Sequence, residues 1–230
     1  MTAPISVIIP TLNATAQLPA TTESLLPGLT GGLIADLILS DGGSEDDIAT
    51  VGRALGAQVI TGSKGRGGQI ARGVAAANTP WLLILHADTH LDKDWAASAL
   101  AHIARHPDKA GWFRLAFRAK GTAPRIVAAG ANLRARFLGL PYGDQGLLIH
   151  RDLLEKVGGF PDIPLMEDVA LARRLKGHLI PLDAVAHTSA SRYTTEGWTR
   201  RIFRNLSTLL RYTLGQSPET LVARYERNKP

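Results

Sequence analysis

The 230 residues include no cysteine, which excludes disulfides, thiolate catalysis and cysteine-built metal sites. No stretch approaches the roughly 18–20 consecutive apolar residues of a membrane-spanning helix. The longest run, Trp81-Leu82-Leu83-Ile84-Leu85, has the length of a buried strand. The N-terminus enters a strand without the basic and apolar regions of a signal peptide, so a cytoplasmic location is expected. No strand is followed by G-x-G-x-x-G: the glycines at 62, 65, 67 and 68 lack that spacing, and no G-x-x-x-x-G-K-[ST] occurs. Neither a dinucleotide Rossmann site nor a P-loop is therefore expected. The basic segments carry no aromatic interleaving and no helix-turn-helix pattern, so nucleic acid is not an expected partner. No internal repeat, low-complexity tract or long linker divides the chain.

What is present is ordinary globular composition, 45% hydrophobic and 20% charged, enough for a sizeable core and best fitted by one domain over residues 1–230. The net charge of +6 is uneven. Lysine and arginine against aspartate and glutamate leave residues 1–104 at −4 and 105–136 at +7; residues 137–191 stand at −2 and 192–230 at +5. Basic segments of this kind attract anionic substrates or phospholipid surfaces, or are simply solvated helix faces.

Apolar, β-branched Ile5–Ile9 reads as a buried strand stopped by Pro10. Further strands are expected at 33–39, 57–61, 81–85, 111–118 and 146–149, with helices at 14–26, 69–77, 92–106, 123–137, 167–175, 198–214 and 217–226. Ser44-Glu45-Asp46-Asp47 has the spacing of a capping box opening a helix to about Leu55. The alternation of continuous apolar strands with helices indicates an α/β fold with a mostly parallel sheet, covered on both faces. Within that one domain the chain is expected to divide into residues 1–106, 107–193 and C-terminal helices at 194–230.

In open parallel sheets ligands bind outside the carboxyl ends of the strands. Three expected strands end there in polar residues: Pro10-Thr11-Leu12-Asn13, Ser40-Asp41-Gly42-Gly43-Ser44 and His86-Ala87-Asp88-Thr89. Any one of them is explained by an Asx-type turn; three on consecutive strands point to a binding edge. With Glu167-Asp168, the ordered set resembles the signature of family-2 glycosyltransferases with the GT-A fold, a Rossmann-like sheet flanked by helices. The phrases L-H-A-D-T, Y-G-D-Q-G, G-G-F-P and P-L-M-E-D are most similar to the small rSAM/selenodomain-associated transferases. The likeness runs from residue 5 to about residue 193.

That resemblance implies transfer of a sugar from a nucleoside-diphosphate sugar to an acceptor hydroxyl with inversion. It implies a nucleoside site at Pro10, Thr11, Asn13 and Asp41, and a general base at Asp168 with Glu167 as orienter or acceptor ligand. The family's D-x-D triplet, which contacts ribose and a divalent cation (Mg²⁺ or Mn²⁺), reads His86-Ala87-Asp88 here. Asp88 keeps the metal side, whereas His86 can hydrogen-bond a ribose but adds no negative charge. A single carboxylate suffices when substrate phosphates supply other ligands; cationic side chains are the alternative. Lys64, Arg66 and Arg72 flank the Gly-rich turn, and Gly68 opens the helix whose amides would face the diphosphate. Asp144 and Gln145 of Y-G-D-Q-G are candidate acceptor contacts. Arg192, in a motif similar to the family's Q-x-x-R-W, is a candidate diphosphate ligand, and His187 a possible extra metal ligand.

The acceptor is left open between a small molecule and a lipid-linked compound. Ile202, Phe203, Leu206, Leu209, Leu210 and Leu214 share a helix face with arginines beside it. That pattern fits core packing, the commoner reason, or peripheral contact with a membrane. Two rivals to the transferase remain: a sugar-phosphate nucleotidyltransferase, which P-T-L-N does not resemble, and a non-catalytic nucleotide-sugar binding module.

Overall fold

The computed structural model describes residues 2–227, with side chains as far as Arg224. The expectation of one domain over 1–230 extends to residues 1 and 228–230, which lie outside the described residues. The first half builds β1 (Ile5–Thr11), α1 (Leu18–Glu23), α2 (Leu26–Thr30), β2 (Ile34–Asp41), α3 (Ile48–Ala54), β3 (Gln58–Thr61), α4 (Arg66–Ala76), β4 (Trp81–Ile84), β5 (Thr89–Leu91) and α5 (Trp95–Arg105). The second builds β6 (Ala110–Phe117), α6 (Thr122–Leu138), a 3₁₀ turn (Gly143–Gln145), β7 (Leu147–His150), α7 (Arg151–Lys156) and α8 (Glu167–Arg174). It ends with β8 (Leu179–Thr188), α9 (Ser191–Glu196), α10 (Trp198–Thr213) and α11 (Pro218–Arg227).

One eight-stranded sheet runs β3-β2-β1-β4-β7-β6-β8-β5. The first four strands are parallel, β7 is antiparallel to β4 and β6, β6 and β8 are parallel, and β5 is antiparallel to β8. After β1 the chain moves outward through β2 and β3 and returns to β1's other edge as β4. The carboxyl ends of β1, β2 and β4 therefore flank the reversal of strand order, where α/β sheets bind ligands. Alternation splits each strand between two cores. Val7, Ile9, Leu83 and Trp81 join Leu18 and Trp95 on one face; Ile8, Leu82 and Ile84 join Ile70, Leu154 and Leu171 on the other. Gly73 makes the second contact possible, because a Cβ there would come 2.4 Å from Ile8.

Several boundaries differ from the sequence reading. Strand β1 continues through Pro10 to Thr11, since the ladder to β4 ends at Ile8 and Ile84 while that to β2 runs on to Thr11 and Asp41. By the alternation of the ladder Pro10 faces the β4 side, where no partner awaits its missing N–H. The helix expected at 14–26 is two short ones, because Pro19 and Pro27 each sit in a first turn. The helix after β2 begins at Ile48, not Ser44, and its N-cap Asp47 makes no side-chain cap. Helix α4 starts three residues early, at Arg66, after Gly65 with φ +146°. Strands β5 and β8 and helices α7 and α9 were not expected. Among the described residues no helix is long and apolar enough to cross a membrane.

Candidate functional site

At the ends of β1 and β2 the buried carboxylate of Asp41 is a hub. Its Oδ2 accepts from the amides of Gly43 (2.9 Å) and Ser44 (2.8 Å), and its Oδ1 from the hydroxyls of Ser44 (2.5 Å) and Thr11 (3.1 Å). Burial works to raise its pKa, but these bonds prevail and hold it below the ordinary carboxylate value. Ser44 Oγ also accepts from the Asn13 amide (2.8 Å), and Asn13 Oδ1 from the Glu45 amide (2.8 Å). The supposed capping box is thus a brace between two strand-end turns. Asn13 has φ +51° and Met166 φ +65°, the two non-glycine residues with positive φ among those described. Both lie in loops singled out from sequence, where backbone strain of order 1–2 kcal/mol per residue is held by the surroundings.

Helix α4 ties this turn pair to the rest of the site. The buried Gln69 Nε2 donates to the carbonyls of Thr11 (2.7 Å) and Ser40 (3.0 Å). One turn earlier, Arg66 Nη1 reaches Glu167 Oε1 at 3.3 Å, joining α4 to the start of α8. Glu167 is 1% exposed; burial, then the neighbouring Asp168, pushes its pKa up, and Arg66 opposes them.

Past β4, His86 packs on the backbone of Gly143, so closely that a Cβ at Gly143 would lie 2.5 Å from the ring Nε2. The amide of Gly143 donates to Asp168 Oδ2 (2.8 Å), and Asp168 Oδ1 accepts from Val169 N (2.7 Å). Burial, then the charges of Arg66 and Arg192, hold the His86 pKa well below its usual value, so the ring is neutral. The Asp88 carbonyl is fixed by Arg118 (2.7 Å), while its carboxylate has no hydrogen bond among the described residues. Asp144 is pushed up to about 6 by burial, against the pull of Arg134, with Asp168 and Asp88 adding to the rise. Its Oδ1 is buried without a partner among the described residues.

The structure gathers His86, Asp88, Asp144, Glu167, Asp168 and the charge of Arg192 at one edge, beside the Pro10–Asn13 turn and Asp41. Other expected contacts are otherwise engaged. Gln145 is 0% exposed; its amide meets Arg134, the Tyr142 amide, Phe113 O and Asn132. It holds the turn from beneath and does not face an acceptor. Arg72 donates to the carbonyls of Asp41 (3.2 Å) and Ser63 (3.1 Å), bracing the loop after β3. Gly68 lies under the Asp162 carboxylate and Gly67 under the backbone of Pro161 and Ile163, so the chain's own loop covers the start of α4. The Ala87 carbonyl accepts from Thr21 (2.6 Å). His187 pairs across the ladder with His90. Sequence reasoning quoted Ser44 and Gly143 within motifs but not in these roles, and missed Gln69 and Arg134, whose guanidinium stacks 3.3 Å from the Tyr142 ring centre.

For a divalent cation, no group of three or more His, Asp or Glu side chains able to hold a metal occurs among the described residues. Among the described residues a cation at this edge would therefore have to be held by a single carboxylate such as Asp88, with its other ligands supplied from a bound substrate.

A curled mixed sheet of this order, with helices on both faces, is the GT-A architecture of sugar-nucleotide transferases. Glucosyl-3-phosphoglycerate synthase from Mycobacterium tuberculosis, solved with Mn²⁺ and UDP-glucose, aligns over 81% of this chain and 69% of its own, with 20% identity and TM-score 0.57. S. aureus TarS 1–349 in complex with UDP aligns over 81% and 61%, with 17% identity and TM-score 0.60. The glycosyl transferase family 2 model matches residues 6–151, and the chain belongs to that family. A PGL/p-HBAD biosynthesis glycosyltransferase of Mycobacterium bovis is 40% identical over 115 residues, 46% of this chain and 44% of the relative. An uncharacterized glycosyltransferase of Mycobacterium tuberculosis is 30% identical over 105 residues, 45% of each. The chain thus spans under half the length of these curated relatives.

Proposed function

We propose that the protein transfers a sugar, with inversion, from a nucleoside-diphosphate sugar to an acceptor hydroxyl, as a relative of the small rSAM/selenodomain-associated transferases. The observation that carries this reading is the site's division of charge. Asp88 offers a carboxylate with no hydrogen bond among the described residues and Arg66 and Arg192 act on a neutral His86, while Asp168 is held across the Gly143 turn. The nucleoside lies against Pro10–Asn13 and the rim set by Asp41, whose oxygens are engaged by protein donors, so Asp41 shapes the turn as much as it touches ligand. His86 donates or accepts a hydrogen bond at the ribose without adding charge.

The acceptor hydroxyl enters beside Asp144 and Asp168. Asp168 takes its proton as the oxygen attacks the anomeric carbon; the bond from that carbon to the diphosphate oxygen breaks, and the nucleoside diphosphate leaves with the electron pair. Glu167 is too buried to meet the acceptor, so its part is to orient Arg66 toward the leaving group. Asp88 would hold Mg²⁺ or Mn²⁺ against the diphosphate, and that cation would neutralise charge on the leaving group. Guanidinium groups aimed at the same oxygens act in the same sense.

The test is donor binding and turnover with UDP- and GDP-sugars, with and without Mn²⁺, in the wild type and in Asp168→Asn. Transfer should fall by about 10²–10⁴ in the variant while nucleotide affinity changes less than twofold. Full activity in Asp168→Asn removes that residue from the mechanism. Wild-type binding without turnover against a broad acceptor panel returns the protein to a nucleotide-sugar binding module.

A further inference from the structure

Helix α10 leaves much of its apolar face unpacked: Trp198 joins the Phe117 cluster and Ile202 and Leu209 are half-buried, but the rest of the face is exposed. Arg201 is the one residue described as buried in α10, whereas Phe203 is 74% exposed, Leu206 56%, Leu210 59% and Leu214 78%. Core packing, the commoner reason for such a pattern, is thereby set aside for this stripe. Beside it lies a cleft of ≈ 280 Å³ between α10 and α11, lined by Arg200, Arg204, Arg211 and Arg224 with Leu221 beneath. On α10, at about 100° per residue, the arginines at 200, 204 and 211 and the apolar residues at 203, 206, 210 and 214 form neighbouring stripes centred about 95° apart around the axis. Both can therefore face one plane. Glu196 is spent on Arg201 and Arg204 at the base of the helix and does not neutralise Arg200, Arg211 or Arg224.

Helix α6 repeats the pattern. Ile126 (67% exposed), Leu133 (55%) and Phe137 (73%) form a stripe at i, i+7, i+11. Its inner face packs into the cluster of Phe117, Tyr193 and Trp198 from which α10 begins. Both basic segments of the sequence thus expose apolar stripes.

We infer that α10 and the arginine cleft form a docking surface for an anionic phospholipid bilayer. The apolar side chains enter the interface and the cleft receives phosphate headgroups. A free phosphate compound would leave the apolar stripe unexplained. A second copy docked two-fold about the cleft itself would bring like-charged arginines together. The inference goes beyond the proposed reaction and does not depend on it.

The test is co-sedimentation of the full chain with phosphatidylcholine vesicles and with 7:3 phosphatidylcholine:phosphatidylglycerol vesicles in 0.1 M salt. Binding to the mixed vesicles should be at least tenfold tighter. Each arginine neutralised should weaken it about fivefold, so Arg200→Gln/Arg211→Gln loses about 25-fold. Leu206→Ser/Leu210→Ser should lose at least tenfold, with thermal melting and far-UV dichroism confirming the fold. Absence of binding to the mixed vesicles, or equal binding by either double variant, overturns the inference. So does a concentration-dependent dimer in sedimentation velocity that Leu206→Ser/Leu210→Ser abolishes. Thermal protection by inorganic phosphate that Arg200→Gln/Arg211→Gln removes, without vesicle binding, also overturns it by giving the cleft to a soluble anion.

Discussion

Asp144 gives a prediction in which stability and activity move in opposite directions. Its carboxyl is raised from an ordinary value of 3.8 to about 6 by burial, with Oδ1 lacking a partner among the described residues. Because the folded pKa exceeds the unfolded one, the folded state binds the extra proton between pH 4 and 6. Stability is therefore complete below about pH 4 and falls as pH rises through 6. Two pKa units correspond to about 3 kcal/mol at most. Asp144→Asn removes the charge but keeps the shape, so it should stabilise the protein by about 1–3 kcal/mol at pH 7.5, or roughly 2–10 °C in Tm. At pH 4 it should change little. The assay is thermal or urea unfolding of both proteins from pH 4 to 8, read as their difference so that titrations common to both cancel. The same variant should raise the acceptor KM, because a charge kept at such a cost has its use with ligand bound. A variant that is less stable at pH 7.5 than at pH 4, relative to wild type, refutes the burial argument. Unchanged kinetics refute the role.

Three further outcomes follow from the geometry. Gly143→Ala places a methyl 2.5 Å from His86 Nε2; it should cost about 1–3 kcal/mol and lower kcat at least tenfold by moving both His86 and the Asp168 anchor, checked by unfolding and initial rates. Gln69→Leu removes one donor from the carbonyls of Thr11, which keeps the Gly42 amide, and Ser40; it should cost about 1 kcal/mol, with nucleotide affinity weakened in calorimetric titration. Arg66→Gln leaves Glu167 buried without its ion partner; Glu167 then takes up a proton more readily, and the acid limb of the pH–rate profile should shift upward.

Much of the sheet was legible because β1, β2 and β4 are largely apolar, interrupted only at Ser6 and Asp36, buried toward their carboxyl ends and closed by polar turns. The turns were legible for the same reason: Asn13, Asp41 and Asp88 follow such runs directly. Other parts were not. Ser44 stands three residues before Asp47, as a capping serine would, and only the fold shows that Asp41 takes its hydroxyl. Gln69 lies in an Ala- and Gly-rich helix where nothing local marks a glutamine that binds two strand ends. Strand β8 carries Pro181 and Asp183 and shifts register against β6 between Trp112 and Arg114, so it lacks a clean alternation. The apolar stripe of α10 has the same spacing whether it faces a core or the outside, and only its exposure decides.

The two contacts made by the first turn of α4 have a consequence for how the site behaves as a unit. Arg66 and Gln69 are about 4.5 Å apart along the helix axis, one bound to Glu167 beside Asp168 and the other to the strand ends beneath Asp41. Helix α4 is thus a gauge block of fixed length between the edge proposed for the nucleoside and the start of α8, which carries the proposed base. A tilt of that rod reaches both at once. Inserting a single residue between positions 66 and 69 would keep each half intact and put them out of register.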